Sequence, residues 1–197
     1  MDATKPSQIL IVRHGEKLGN SSNDDVGGPH LSIAGSVRAV ALPELFAPQS
    51  PALSCNLVRN TNFSGTYVSI DSQGPQPRFS TPAFLYAAKA SNNSNRPVET
   101  ITPLSVALQM SVNDSYKKSD YGGLATDLLT GSRYSGKVIL ICWHHGMIPN
   151  LAKALGVANP PSWPGAVFDR VWKITYPDGE ALLANLPQQL LHGDSNS

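Results

Sequence analysis

Short apolar runs, separated by stretches with helical spacing, organise most of this chain. Residues 8–12, 83–87 and 137–143 are rich in β-branched or aromatic side chains. Such runs are typical of buried strands, and the run at 137–143 predicts a central parallel strand covered on both faces. Two further runs, at residues 167–176 and 180–186, flank a Pro-Asp-Gly turn and predict a β-hairpin.

Helical signals occupy the stretches between these strands. Ser32 is a favourable N-cap for a helix that extends to residue 46, with an interruption near Pro43. Further helices are predicted at residues 97–110, 120–129 and 147–155. The positions spaced to form an apolar face on the first helix are Leu31, Val37, Ala41 and Leu45.

The alternation of strands and helices predicts an α/β fold. We expect a three-layer α/β/α sandwich whose central sheet is mostly parallel, with an antiparallel edge formed by the hairpin. A length of 197 residues fits one domain spanning residues 1–197. Residues 47–80 are rich in Pro, Ser, Asn and Gly, which predicts an insertion or long loop with one candidate strand at residues 66–70.

Composition narrows the classes of partner. Hydrophobic residues make up 41% of the chain, charged residues 15%, and the formal net charge is +1. Such a weak field argues against nucleic acid or an anionic membrane as the main partner. Two cysteines do not form a disulfide framework, and Cys142, unlike Cys55, lies in an apolar run where a buried free thiol is expected. Without a visible signal peptide or membrane span, we expect a soluble, cytoplasmic protein.

Two of the predicted strands lead into a histidine that is followed by glycine. The first strand leads into Arg13, His14 and Gly15, and the third leads into His145 and Gly146. Because the carboxyl ends of parallel strands meet at the edge where open α/β sheets hold their ligands, these groups are expected to converge. With a second arginine shortly after the second strand, they form a cationic site for one small anion.

These motifs, in this order, resemble those of the histidine phosphatase superfamily, which has the phosphoglycerate mutase-like fold. That family begins with a strand ending in Arg-His-Gly, as at residues 13–15. A Leu-Ser/Thr-x-x-Gly segment is matched by residues 31–35, and an Arg-x-x-Glu/Gln-Thr segment by residues 96–100. The strand–His-Gly–helix unit is matched around His145. The resemblance covers about residues 8–176, apart from residues 47–80.

The resemblance implies chemistry that suits these residue types. His14 would attack phosphorus and become a phosphohistidine, and neighbouring cations help keep its imidazole neutral. Arg13 and Arg96 would hold the phosphoryl oxygens, because a planar guanidinium fits phosphate geometry. His145 would stabilise the developing charge. Neither a metal nor another cofactor is implied. The positions expected to contact phosphate are Arg13, Gly15, Asn20, Arg96, His145 and Gly146.

The general acid that protonates the leaving oxygen has no obvious counterpart in the motifs. In one branch of the family an acidic residue directly follows the second histidine, but Gly146 stands there, so the chain resembles the branch that lacks this acid. Asp120 is the first candidate from the remaining carboxylates, and Asp114 and Glu16 are the others. A reaction without a dedicated acid is the remaining option.

Several nearby residues have a structural interpretation as well as a functional one. His144 is expected to pack at the strand end, although a zinc site built from His144, His145 and a carboxylate is an alternative. His30 is expected in a loop near the pocket. Trp143 and Trp172 are expected in the core.

The hypothesis that these observations favour is a metal-independent phosphatase acting on phosphomonoesters. Its partner would be a small phosphorylated substrate or a phosphoprotein. The alternatives are a non-catalytic module that binds phosphate or a phosphopeptide, a mutase-type phosphotransferase, and a metal-dependent hydrolase.

Overall fold

A mixed six-stranded sheet forms the centre of the computed structural model, which describes residues 5–19, 28–47 and 76–195. The strands are β1 (Gln8–Arg13), β2 (Phe84–Ala87), β3 (Val112–Asn113), β4 (Val138–Trp143), β5 (Arg170–Thr175) and β6 (Leu182–Pro187). Their order across the sheet is β3–β2–β4–β1–β5–β6. The first four in this order pair in parallel, whereas β5 pairs antiparallel with both β1 and β6. The predicted mostly parallel sheet with a hairpin edge is confirmed.

Helices cover both faces of this sheet. They are α1 (Ile33–Ala41), α2 (Pro43–Phe46), α3 (Arg96–Leu108), α4 (Tyr121–Thr130) and α5 (Ile148–Ala154). Alternate residues of a strand point to opposite faces. Accordingly, Ile9 and Ile11 of β1 join the buried cluster that includes α4 and α5, and Leu10 and Val12 join the cluster that includes α2 and α3. The result is the predicted three-layer α/β/α sandwich.

The predicted apolar face of the first helix is confirmed at Leu45, which is buried, but it is wrong at Val37. Ser32 caps α1 and a break precedes Pro43, as expected, but Val37 is 51% exposed. The buried side of α1 instead carries Gly35, Arg38 and Ala39. This reversal has a physical cause, because the buried arginine meets carboxylates from distant parts of the chain.

The hairpin strand β5 starts three residues later than predicted. Residues 167–169 lie outside it because the carbonyl oxygen of Val167 accepts hydrogen bonds from Arg13 and from the indole of Trp163. The two-residue strand β3 was not predicted. Trp143 and Trp172 are buried, as expected, and Cys142 is a buried free thiol whose pKa burial raises.

Some sequence expectations lie outside the described residues. These are the candidate strand at residues 66–70, Asn20 and Cys55. In the part of the chain that the structure describes, no helix has the length and apolar character needed to cross a membrane.

Candidate active site

The adjacent strands β1 and β4 bring two histidines together at the carboxyl edge of the sheet. Arg13 is in register with Trp143, and the next backbone N–H, that of His14, donates to the Trp143 carbonyl oxygen at 3.1 Å. The His14 ring contacts the side chain of His144, whose ring centroid is 5.3 Å away in an edge-on arrangement. Both side chains are buried. His144 therefore packs at the strand end, as predicted, and it packs against the candidate nucleophile itself.

The imidazole of His14 is held in one tautomer. Its Nδ1 lies 2.7 Å from the carbonyl oxygen of Gly15. Because a carbonyl oxygen can only accept, Nδ1 carries the proton, and in the neutral ring the lone pair is on Nε2. His14 therefore has the protonation pattern of a nucleophile that attacks through Nε2.

The guanidinium of Arg13 is fully buried next to this histidine. Its Nη1 donates to the carbonyl oxygens of Gly165 at 2.6 Å and Val167 at 3.1 Å. Its Cζ lies 3.7 Å from the ring centroid of Phe168, and the same ring is 6.2 Å from that of His14. The segment that precedes β5 thus fixes the first cation of the site.

Arg96, the second candidate cation, begins α3 and is also fully buried. Its Nη1 donates to the carbonyl oxygen of Gly28. One turn later, the Thr100 hydroxyl donates to the Arg96 carbonyl oxygen and accepts from the Gly15 N–H, both at 2.8 Å. The threonine of the Arg-x-x-Glu-Thr segment therefore joins α3 to the turn that follows His14.

Glu99 in the same segment organises the approach to the site. Its carboxylate accepts from the Leu31 N–H at 2.9 Å and pairs with Nδ1 of His30. His30 is a largely exposed loop residue, in agreement with the sequence analysis. The glutamate thus holds the segment that leads into α1 against the start of α3.

The Leu-Ser-x-x-Gly segment brings α1 into backbone contact with the turn after His14. The N–H and the hydroxyl of Ser32 both donate to the Glu16 carbonyl oxygen, at 2.9 and 3.1 Å. The same hydroxyl caps α1 by accepting from the Gly35 N–H at 3.1 Å. A Cβ atom at Gly35 would lie 2.2 Å from the Glu16 carbonyl oxygen, and one at Gly15 would lie 2.8 Å from that of Gly35. Both glycines are needed for this close approach.

The carboxylate of Glu16, one of the candidate general acids, is bound by an arginine. Nε and Nη2 of Arg38 donate to it at 2.8 to 3.1 Å. The guanidinium also donates to Asp194 at 2.7 and 2.9 Å. Burial alone would lower the pKa of Arg38, but its hydrogen bonds to Asp194 and Glu16 raise that pKa above the ordinary value. Both oxygens of the Glu16 carboxylate therefore accept hydrogen bonds from Arg38, which occupies this candidate acid in an ion pair.

Asp120, the first-ranked acid, caps α4. Its side chain accepts from the Gly123 N–H at 3.3 Å, and the residue is exposed. The segment before it reaches the carboxyl edge of the sheet, where the Lys118 carbonyl oxygen accepts from the indole of Trp143 at 3.2 Å. Asp114 lies earlier in the same segment and is half-buried. Asp120 thus has a structural role as a helix cap close to the end of β4.

Comparison with known proteins identifies the fold. No protein-family model matches the chain, and no curated protein sequence matches it significantly. Among solved structures, the protein histidine phosphatase SixA complexed with tungstate aligns with a TM-score of 0.55 at 14% identity, covering 92% of this chain and 97% of SixA. The chain has the histidine phosphatase fold.

Two other structures align over similar lengths. A mycobacterial glucosyl-3-phosphoglycerate phosphatase gives a TM-score of 0.51 at 12% identity, covering 90% of this chain and 97% of that protein. Phosphoglycerate mutase from Bacillus anthracis gives 0.51 at 13% identity, covering 93% and 94%. The histidine phosphatase fold therefore accommodates both phosphatases and a mutase, in agreement with the resemblance seen in the motifs.

Three contacts in this histidine phosphatase fold were not anticipated from the sequence. The first is the ring contact between His14 and His144, which follows from the register of β1 and β4 in the structure. The others are the stacking of Phe168 on Arg13 and the burial of Arg38, neither of which has a local signature. His145 follows in the turn after β4 and is half-buried.

After the end of β4, a turn leads into the short helix α5. Residues 144–147 are not in strand conformation, so strand alternation does not describe how His144 and His145 are oriented. Helix α5 is seven residues long, and Pro149 near its start has no N–H to donate. A helix this short, with one N–H missing from its first turn, offers few backbone donors to an anion. In residues 5–19, 28–47 and 76–195, no three His, Cys, Asp or Glu side chains are grouped to hold a metal ion.

Proposed function

We propose that this protein is a metal-independent phosphoric monoester hydrolase that forms a phosphohistidine on His14. The observation that carries the proposal is the hydrogen bond from Nδ1 of His14 to the Gly15 carbonyl oxygen, which gives Nε2 the lone pair. The buried guanidinium of Arg13 lies against the ring of Phe168, which is also a neighbour of the His14 ring. SixA, with the same fold, was solved in complex with tungstate, a tetrahedral oxyanion like phosphate.

In the first step, Nε2 of His14 attacks phosphorus and the bond from phosphorus to the ester oxygen breaks. Negative charge on the transferring group is stabilised by Arg13 and Arg96, whose burial strengthens their electrostatic interaction with the anion. His145 adds a further donor in this scheme. The leaving oxygen takes a proton from Asp120 or from water.

In the second step, water attacks the phosphorus of phosphohistidine. The bond from Nε2 to phosphorus breaks, inorganic phosphate is released, and His14 returns to its neutral form. The hydrogen bond to Gly15 keeps the ring in one orientation through both steps. A phosphomonoester with a good leaving group needs little acid catalysis, so an aryl phosphate is the natural first substrate.

The test compares His14→Ala with the unaltered protein on an aryl phosphate. We expect the substitution to lower kcat by at least about 10³-fold, because it removes the nucleophile. His192→Ala replaces an exposed histidine near the carboxyl terminus and is the matched control, with unchanged activity expected. Brief exposure to ³²P-labelled substrate should trap an acid-labile phosphoenzyme in the control but not in His14→Ala. Equal turnover by the two variants would refute the proposal.

A second candidate function is a non-catalytic module that binds phosphate. It is favoured by the pairing of Glu16 with Arg38, which removes one candidate acid. This function predicts that phosphate binds with no phosphoenzyme trapped and no turnover. A metal-dependent hydrolase would instead lose its activity in a chelator, whereas the proposed phosphohistidine route keeps it.

A further inference from the structure

One loop before β5 supplies three contacts of the Arg13 guanidinium. The carbonyl oxygens of Gly165 and Val167 accept from Nη1, and the ring of Phe168 covers the guanidinium at 3.7 Å. Both hydrogens of Nη1 are thereby directed at the loop. Any contact that Arg13 makes with a phosphoryl group then uses its Nε or Nη2 donors.

The loop is itself anchored in the core. Trp163 is buried, packs on Trp172 at a centroid distance of 5.1 Å, and donates from its indole to the Val167 carbonyl oxygen at 2.8 Å. The Val167 N–H donates to the Pro164 carbonyl oxygen at 3.1 Å. These contacts hold the residues on either side of position 166, so Phe168 is presented to Arg13 from a fixed backbone.

We propose that Phe168 is a positioning residue that sets the plane of the Arg13 guanidinium for phosphate binding. The inference rests on the proposed phosphatase function. Two carbonyl oxygens hold the Nη1 end of the guanidinium, and the ring of Phe168 lies against its face, where it restricts tilting of the guanidinium plane. Paired hydrogen bonds to a phosphoryl group depend on that plane. An aromatic face also attracts the cation, which an aliphatic side chain of similar volume does not do.

Two substitutions separate the aromatic face from apolar volume. Phe168→Leu keeps apolar bulk, and Phe168→Tyr keeps the ring, with its added hydroxyl at a half-buried position. For Phe168→Leu we expect kcat/KM on an aryl phosphate to fall about 3- to 30-fold, and tungstate affinity to fall by a similar factor, as for loss of a partly buried cation–π contact. Phe168→Tyr should stay within about twofold on both measures, since the ring face is retained.

Phe84→Leu is the control for the loss of one ring elsewhere. Phe84 begins β2, at the end of the strand opposite the carboxyl edge of the sheet, and packs edge-on against Tyr134 at a centroid distance of 5.0 Å. The Phe84→Leu substitution should leave kcat/KM and tungstate affinity unchanged, even if it lowers the melting temperature. The proposal would be overturned if Phe84→Leu or Phe168→Tyr lowered kcat/KM and tungstate affinity as much as Phe168→Leu does.

A readout independent of catalysis keeps this proposal separate from the proposed function. Protons of a guanidinium stacked on a ring are shifted upfield in NMR spectra, and Arg13→Lys assigns the Arg13 Nε–H signal. The shift should be present in the unaltered protein, lost in Phe168→Leu and restored in Phe168→Tyr. If the protein neither hydrolyses aryl phosphate nor binds tungstate, the proposed function fails, and this signal then reports only whether Phe168 holds the Arg13 guanidinium. An Arg13 signal that is the same in all three proteins would refute the positioning role.

Discussion

Replacing Arg38 with methionine should destabilise the protein strongly, because one guanidinium satisfies two carboxylates. Arg38 donates to Glu16 at 2.8 to 3.1 Å, to Asp194 at 2.7 and 2.9 Å, and to Gln188 at 3.0 Å. The side chains of Arg38 and Asp194 are each 5% exposed, and that of Glu16 is 22% exposed. Methionine fills similar space but leaves both carboxylates near each other without a cation.

The expected loss in the free energy of unfolding depends on how exposed the two carboxylates are to solvent. Breaking a buried ion pair by removing one partner costs about 3–5 kcal/mol, because the other charge stays buried. Glu16 is partly exposed, and Asp194 keeps hydrogen bonds from the Leu190 and Leu191 N–H groups at 2.9 and 3.1 Å. Both facts place the loss near the lower limit, at about 3 kcal/mol.

Urea unfolding followed by circular dichroism measures this free energy. Arg133→Met is the matched control, since Arg133 also pairs with an aspartate but is 60% exposed, and little change is expected there. Adding Glu16→Gln and Asp194→Asn to Arg38→Met should recover much of the lost stability, because the two substitutions remove the carboxylate charges that no longer have a cation partner. A loss below about 1 kcal/mol for Arg38→Met, the level of a surface ion pair, would refute the reasoning.

Three further predictions test other parts of the structure. Gly35→Ala should cost about 1–3 kcal/mol in urea unfolding, because its Cβ would lie 2.2 Å from a backbone carbonyl oxygen, whereas Gly122→Ala faces open space and should cost nothing. Burial alone would raise the pKa of Asp194, but its hydrogen bonds to Arg38 lower that pKa overall. The ionised Asp194 therefore stabilises the fold above its unfolded pKa of about 3.9, and this stabilisation is lost as pH falls through the folded pKa. Acid titration of unfolding should therefore show the stability gap between the unaltered protein and Asp194→Asn closing below about pH 4, and a gap independent of pH would contradict this. On an aryl phosphate, His145→Ala should lower kcat about 10²-fold or more, as for loss of a transition-state donor, and His144→Ala less; the reverse order would exchange their roles.

The sheet could be predicted from the sequence because each strand is signalled by residues that are neighbours in the chain. Continuous apolar runs at residues 8–12 and 137–143 identify buried strands, and a Pro-Asp-Gly turn identifies the hairpin. The position of His14 at a sheet edge follows directly, since it comes one residue after β1.

Contacts between distant residues could not be predicted in this way. Hydrophobic periodicity selects only apolar residues for the buried face of α1, yet Arg38 is buried there against Asp194, which lies 156 residues away in the chain. Periodicity counts a charged residue as exposed, and only the partner's position makes its burial favourable. The stacking of Phe168 on Arg13 spans a similar separation and was missed for the same reason.

Two histidines follow β4, and the register of the strands determines which of them lies beside His14. Motif matching chose His145, because it directly precedes Gly146 as in the resembled family. Register, in contrast, places position 144 beside His14, because Arg13 pairs with Trp143 and the strands run in parallel. The two criteria are compatible if one histidine supports the nucleophile from the side and the other, in the turn, reaches the phosphoryl group. The pair of alanine substitutions, His144→Ala and His145→Ala, tests this division of roles.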